Sequence, residues 1–206
     1  MGKVKAVIFD VGRVLFHWDL RHLFAKLIED PEELDWFLAH VVTEEWHFEH
    51  DAGKPLAQML SERSAAFPAY AQLIEAYTNR FNESIPGPVE GSLEIVRHLH
   101  ESAVPLFAIT NFGAEFWDAF RPTQPIFDLF ADIIVSGREK LVKPDPAIYA
   151  LACARFAIAP ETAIFIDDNL SNIESAQKFG LNVHHFHDAA GLRDVLAGHG
   201  LLKRCD

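Results

Sequence analysis

Short apolar runs that end on a polar side chain recur along this chain, with helix-patterned segments between them. Lys5-Ala6-Val7-Ile8-Phe9 leads into Asp10, Val104 to Ile109 into Thr110-Asn111, and Ala163 to Ile166 into Asp167-Asp168. Ala131 to Ser136 and Leu181 to Phe186 are two more such runs. Runs this short and this continuously apolar suit strands buried on both faces, as in a parallel sheet covered by helices. The intervening segments agree. Val89 to His100 places Leu93, Val96 and Leu99 on one helical face, and Phe112 to Phe120 is helical. Asp145-Pro146 opens a helix with proline in its first turn, running to Phe156. A helix with Ile173 and Ala176 inward stops at Gly180, and Ala189 to Ala197 is the last. The pattern predicts an α/β fold, a Rossmann-like parallel sheet of about five strands wrapped by helices.

Residues 17–85 have a different texture. Leu20, Leu23, Phe24, Leu27 and Ile28 recur at helical spacing, as do Leu34, Phe37, Leu38 and Val41, then Leu73, Ile74, Tyr77 and Phe81. No alternating strand pattern interrupts them, and Ile85-Pro86-Gly87-Pro88 is a breaker cluster suited to a hinge. The expected organisation is therefore an α/β core from 1–16 and 86–206, with 17–85 inserted as a helical cap. Trp36, Phe37, Trp46 and Phe48 are expected in the core of that cap.

Eighteen basic against 30 acidic residues, a formal charge of −12, argue against nucleic acid or an anionic membrane as partner. An anionic substrate would need a local positive site, such as a bound cation beside a lysine. Cys153 and Cys205 make no disulfide framework and suit a reducing compartment. Asp10 breaks the N-terminal apolar run too early for a signal peptide, and no run approaches the ~20 residues of a membrane span. A cytoplasmic location is the expectation.

In an open parallel sheet, ligands bind beyond the carboxyl ends of the strands, so the polar ends of these runs should meet at one edge. A carboxylate, a hydroxyl, an ammonium and a pair of carboxylates suit Mg²⁺-assisted phosphoryl chemistry. Asp10 is the candidate nucleophile, able to attack phosphorus once cation and lysine neutralise the phosphate. Thr110 and Asn111 offer a hydroxyl and a backbone N–H to a phosphate oxygen, or else cap the next helix. Lys143, ahead of Pro144-Asp145-Pro146, is the candidate cation, with Lys140 second. Asp167 and Asp168 are the metal candidates. His184-His185-Phe186-His187 would alternate between two strand faces and reads as structural or surface.

Four segments, in order, resemble the haloacid dehalogenase-like hydrolase superfamily, in the subfamily with an inserted helical cap. They are Val7-Ile8-Phe9-Asp10-Val11-Gly12-Arg13-Val14-Leu15, Ala108-Ile109-Thr110-Asn111, Lys143-Pro144-Asp145-Pro146-Ala147-Ile148-Tyr149, and Phe165-Ile166-Asp167-Asp168-Asn169-Leu170-Ser171-Asn172-Ile173. The resemblance implies a Mg²⁺-dependent phosphatase, similar to the small sugar-phosphate phosphatases, acting through an aspartyl phosphate on Asp10. It implies metal ligation by Asp10, the Gly12 carbonyl and Asp168 directly, with Asp167 through water. It gives Thr110 a hydrogen bond to the transferring phosphoryl group, Lys143 the pairing with Asp10 and phosphate, and Asn172 the ordering of the loop. It also makes Trp46 to Gly53 a cap segment that faces the active site.

Gly12 departs from the family's phosphatases, which usually carry a proton-donating Asp there. The proton must then come from water, substrate or another side chain, with His17, Asp19 and His47 as candidates. Gly12 is also expected to occupy backbone space that glycine alone reaches easily. Arg13 either contacts substrate or points to solvent. The leading expectation is hydrolysis of a small phosphorylated metabolite, sugar phosphates first. One alternative is a metal-free 2-haloacid dehalogenase using Asp10, against which Asp167-Asp168 stands. The other is a catalytically weak protein that binds a phosphorylated ligand.

Overall fold

The computed structural model describes residues 3–203, so Cys205 lies outside the described residues. β1 (Ala6–Phe9), β2 (Leu106–Thr110), β3 (Asp132–Val135), β4 (Ala163–Asp167) and β5 (Asn182–His185) form one parallel sheet in the order β3-β2-β1-β4-β5. The expected runs are the observed strands, with ends moved by one or two residues. Period-two alternation sorts β1 between the sheet's faces. Val7 and Phe9 join one apolar cluster, Ala6 and Ile8 the other, and β4 divides likewise into Ile164 and Ile166 against Ala163 and Phe165.

Between β1 and the rest of the sheet the chain forms α1 (Leu20–Phe24), α2 (Pro31–His40), α3 (Glu44–Asp51), α4 (Leu56–Ala66) and α5 (Ala71–Asn79). Their starts follow from local chemistry. The side chains of Asp19, Asp30 and Thr43 accept from backbone N–H groups in the first turns of α1, α2 and α3. Beyond the linker come α6 (Ser92–Glu101), α7 (Ala114–Phe120), α8 (Ser136–Glu139), α9 (Pro146–Arg155), α10 (Leu170–Phe179) and α11 (Ala189–Gly198). Asp145 caps α9 through the N–H of Ala147, and Gly180 ends α10 in the left-handed region at φ 110°.

β1 lies at the centre, with β2 and β3 to one side and β4 and β5 to the other. The connection from β3 to β4 therefore reverses direction, and the crevice between the ends of β1 and β4 is where such a sheet opens to a ligand. No helix among the described residues is long and apolar enough to cross a membrane.

Candidate active site

The crevice is a cavity of about 510 Å³. Its floor is polar, with Asp10, Gly12, Lys143 and Asp168, while Phe16, Trp18, Phe48, Phe81, Phe112 and Phe120 supply an aromatic wall. Phe48 is 40% exposed and Trp36 42% exposed. Those two are therefore not core residues as expected, whereas Phe37 and Trp46 are buried. α3 presents Trp46 and His50 to the core, which turns Phe48 away toward the open side.

Asp10 is held at the end of β1 by its own backbone, which donates to the Ile166 carbonyl at 2.8 Å. Its Oδ1 accepts the Val11 N–H at 2.7 Å and lies 2.7 Å from Lys143 Nζ. The Lys143 ammonium also donates to Asp167 Oδ2 at 2.7 Å. Asp10 and Asp167, 157 residues apart in sequence, thus meet through one buried cation. Asn111 sets the position of Lys143. Its Oδ1 accepts the Lys143 N–H at 2.9 Å and its Nδ2 donates to the Lys143 carbonyl at 3.0 Å. The Asn111 side-chain amide is thus engaged in bracing the lysine backbone, which leaves the expected phosphate contact to its backbone N–H. Lys140 is elsewhere, at a left-handed turn where it packs against Gly53.

Asp167 is fully buried and its oxygens are occupied. Asn172 Nδ2 lies 3.0 Å from both of them, and Oδ1 accepts the Asn169 N–H at 2.8 Å. Asp168 is less buried and lines the cavity. Its carbonyl is met by His185 Nε2 at 2.9 Å, so the histidine tract touches the site from the sheet edge through the backbone. Thr110 ends β2, buried, and does not line the cavity, whereas Asn111 does.

The charges explain one another. Burial opposes the charge on Lys143, yet Asp10 and Asp167 outweigh it and hold the ammonium above its ordinary pKa. Burial pushes the Asp10 carboxyl up, Lys143 pulls it down, and the charges of Asp167 and Asp168 raise it again. Burial and then Asp167 raise Asp168 in the same way. Carboxylate oxygens of Asp10, Asp167 and Asp168 lie within 4.8 Å of one another. Three carboxylates facing a single ammonium leave a buried excess of negative charge, which a hard divalent cation would neutralise. The donor set fits such an ion: oxygen ligands only, with no hydrogen bond to Asp10 Oδ2 among the described residues, and Asp168 open to the cavity. The Gly12 carbonyl also accepts no backbone hydrogen bond among them.

Gly12 itself departs from expectation. A Cβ built on it meets nothing within 4 Å, and its φ is not in the left-handed region. The strained position is Arg13, at φ 59°, where the loop closes through the Arg13 N–H to the Phe16 carbonyl at 2.7 Å. The Arg13 guanidinium reaches Glu44 on α3 at 2.7 Å and lies 5.1 Å over the Trp18 ring, lining the cavity mouth. Arg13 therefore bridges the loop after β1 to α3. Of the residues considered as proton donors, His17 is exposed on the rim and Asp19 caps α1 outside the cavity. His47 is buried and lines it.

Residues 36–186 match the family model described as haloacid dehalogenase-like hydrolase. The chain belongs to that family. Asp10 lies before the matched span and joins the site through the fold. Among curated relatives, the sesquiterpene phosphatase astK of Aspergillus oryzae is 26% identical over 90% of this chain and 91% of its own. The phosphoglycolate phosphatase of Thiobacillus denitrificans is 23% identical over 87% and 82% respectively. Among solved structures, the HAD family enzyme bt-2542 of Bacteroides thetaiotaomicron superposes with a TM-score of 0.74 over 95% of this chain and 99% of that one, at 18% identity. It has also been solved in complex with magnesium and inorganic phosphate. The family, the parallel sheet and the hydrolase class are as the sequence led us to expect.

Sequence reasoning missed Asp51. It is buried, lines the cavity, and sits at the end of α3 one turn after His47, whose Nε2 is 3.4 Å from Asp51 Oδ2. The legible signal was the helical i,i+4 spacing of His47 and Asp51.

Proposed function

We propose that this hydrolase is a Mg²⁺-dependent phosphatase that cleaves a small phosphorylated metabolite by way of an aspartyl phosphate on Asp10. The observation that carries the reading is the Lys143 ammonium held between Asp10 and Asp167 on the floor of the cavity, with Asp168 beside them. Asp10 attacks phosphorus, and Lys143 cancels repulsion between that carboxylate and the incoming phosphate. Thr110 and the residue 111 backbone, at the carboxyl end of β2, are assigned to the phosphate oxygens. Asp10, the Gly12 carbonyl and Asp168 would hold Mg²⁺, with Asp167 behind them, its oxygens already engaged by Lys143, Asn169 and Asn172. The ion, when bound, supplies positive charge to the phosphoryl oxygens. The phosphatase names of the curated relatives and the magnesium and phosphate bound to bt-2542 support this reading by kinship.

Residues 17–85 are assigned as the cap, with Arg13 and Glu44 bridging it to the core at the cavity mouth. The aromatic wall favours esters whose alcohol carries hydrocarbon surface over strongly hydroxylated ones, and this separates two substrate classes within the same chemistry. Metal-free dehalogenation fits less well, because Asp168 beside Asp10 would repel the carboxylate of a haloacid. The test is hydrolysis of p-nitrophenyl phosphate, then of a panel of sugar and terpenyl phosphates, with Mg²⁺ and with EDTA. Turnover that needs Mg²⁺ and vanishes in Asp10→Asn is expected. Halide release from 2-chloropropionate without phosphate release would overturn the reading.

A further inference from the structure

The loop after β1 has no carboxyl at Gly12, yet a buried carboxyl reaches the same cavity from α3. Asp51 is 5% exposed and its surroundings are built for it. Ser136, at the end of β3, accepts the Phe112 N–H at 2.9 Å and donates its hydroxyl to the Asp51 carbonyl at 2.6 Å. One side chain thereby ties the end of α3 to the carboxyl ends of β2 and β3. Glycines allow the approach. A Cβ on Gly113 would lie 2.0 Å from the His50 ring, one on Gly137 would lie 2.7 Å from the Ala114 nitrogen, and one on Gly53 would lie 2.8 Å from the Lys140 side chain.

The Asp51 carboxyl is oriented from behind. His47 stacks on Trp18 at 4.8 Å and on Phe81 at 5.5 Å, and its Nδ1 meets the Tyr77 hydroxyl at 2.6 Å. With the Tyr77 hydroxyl donating to Nδ1, the His47 Nε2–H points at Asp51 Oδ2, 3.4 Å away. That tautomer satisfies Tyr77, His47 and one carboxyl oxygen together. Asp51 Oδ1 makes no hydrogen bond of ordinary geometry among the described residues, the Gly113 N–H acting on the carboxyl only from nearby. A buried polar atom without a partner is costly and calls for a ligand.

We propose that Asp51 is the proton donor to the leaving group, entering from α3 in place of the carboxyl missing at Gly12, with His47 as its positioning residue. This rests on the phosphatase reading above. Asp10 attacks phosphorus, the bond from phosphorus to the ester oxygen breaks, and that oxygen takes the proton from Asp51 and leaves as the alcohol. Water then attacks the aspartyl phosphate and gives a proton to the Asp51 carboxylate. Inorganic phosphate departs, and Asp10 and Asp51 return to their starting states.

The charges around Asp51 agree with this role. Burial pushes its carboxyl up to about 8, the nearby Gly113 N–H opposing the rise, and the Asp10 charge adds to it while Lys143 opposes. Burial holds His47 down at about 3, with His50 and Arg13 also lowering it, so the pair is neutral near pH 7. Burial keeps Tyr77 well above its ordinary value and therefore a hydroxyl. Glu115, from α7, faces His50 rather than Asp51, at 3.4 Å. A carboxyl that holds its proton at neutrality and can lose it is suited to general acid catalysis.

The test is the rate of phosphoenzyme formation by rapid quench, for aryl and alkyl phosphates, in wild type, Asp51→Asn and His47→Gln, with thermal melts of each. Asp51→Asn should lose about 10²–10⁴-fold on alkyl esters, which need a proton, and little on p-nitrophenyl phosphate, which does not. The alkaline limb of the wild-type alkyl profile should be absent from the variant. His47→Gln should keep a reduced alkyl rate with the limb displaced. Equal losses on both esters, or none, would overturn the proposal while leaving the phosphatase reading intact. If Asp51→Asn fails to fold, the wild-type profile decides: an alkaline limb common to alkyl and aryl esters overturns the proposal, and one confined to alkyl esters supports it. A wild type inert toward every phosphomonoester overturns both readings.

Discussion

Gly113→Ala places one methyl group where α3 meets the core, and its effect can be worked from the structure. The new Cβ would stand 2.0 Å from His50 Cδ2, 2.3 Å from Nε2 and 2.9 Å from Cγ, where ordinary contact begins near 3.4 Å. The ring must retreat by more than 1 Å. It has little freedom to do so, being buried, packed edge-on against Phe116 at 4.9 Å, and bonded through Nδ1 to the Lys54 carbonyl at 3.0 Å. The strain passes to the end of α3. Overpacking of this kind costs about 1–3 kcal/mol. With about 2–4 °C per kcal/mol for a chain of this size, the melting temperature should fall by about 2–12 °C. Because Asp51 follows His50 directly, turnover of alkyl phosphates should fall more than turnover of aryl phosphates. Calorimetry and paired kinetics measure both effects. The His50→Ala/Gly113→Ala double variant should be more stable than the sum of the single losses, since removing the ring makes room for the methyl. An unchanged melting temperature and full additivity would refute the seating of α3 on residue 113.

Asp168→Ala should weaken Mg²⁺ binding more than Asp167→Ala, measured by calorimetric titration, because the Asp167 oxygens are occupied by Lys143, Asn169 and Asn172; the reverse order would exchange the two roles. Asp167→Ala should instead destabilise the fold by about 3–5 kcal/mol, since it strips a partner from a buried ammonium, and unchanged urea midpoints would refute this. Gly12→Asp has room for its side chain, so in the Asp51→Asn background it should recover part of the lost alkyl rate; no recovery in a folded protein would show that a carboxyl at that position cannot reach the leaving oxygen. Asp51 keeps its proton up to about 8 when folded and loses it near 3.8 when unfolded, so its burial favours the folded state at low pH and that benefit fades as pH rises through this window. Urea melts in EDTA should therefore show Asp51→Asn gaining on wild type between pH 4 and 8, by at most about 1.4 kcal/mol per pH unit; a flat difference would refute the neutral buried carboxyl.

The sequence by itself determined what local periodicity and end chemistry can carry. Continuous apolar runs became strands, Asp145 and Gly180 bounded their helices, and Asp10, Lys143, Asp167 and Asp168 gathered at one sheet edge because parallel strands place their carboxyl ends together. The helical spacing between residues 20 and 79 was legible too, since that stretch folds into α1 to α5. Only the tertiary structure decided which polar atoms are engaged and which are left over. Asn111 proved to brace Lys143, Phe48 faced the cavity, Gly12 needed no glycine, and the strained residue was Arg13. The i,i+4 spacing of His47 and Asp51 was legible on α3, but nothing there announces burial of the Asp51 carboxyl. That burial comes from Ser136, Gly113 and Tyr77, residues 26 to 85 positions distant, and a carboxyl's proton affinity depends on what surrounds it in space rather than in sequence.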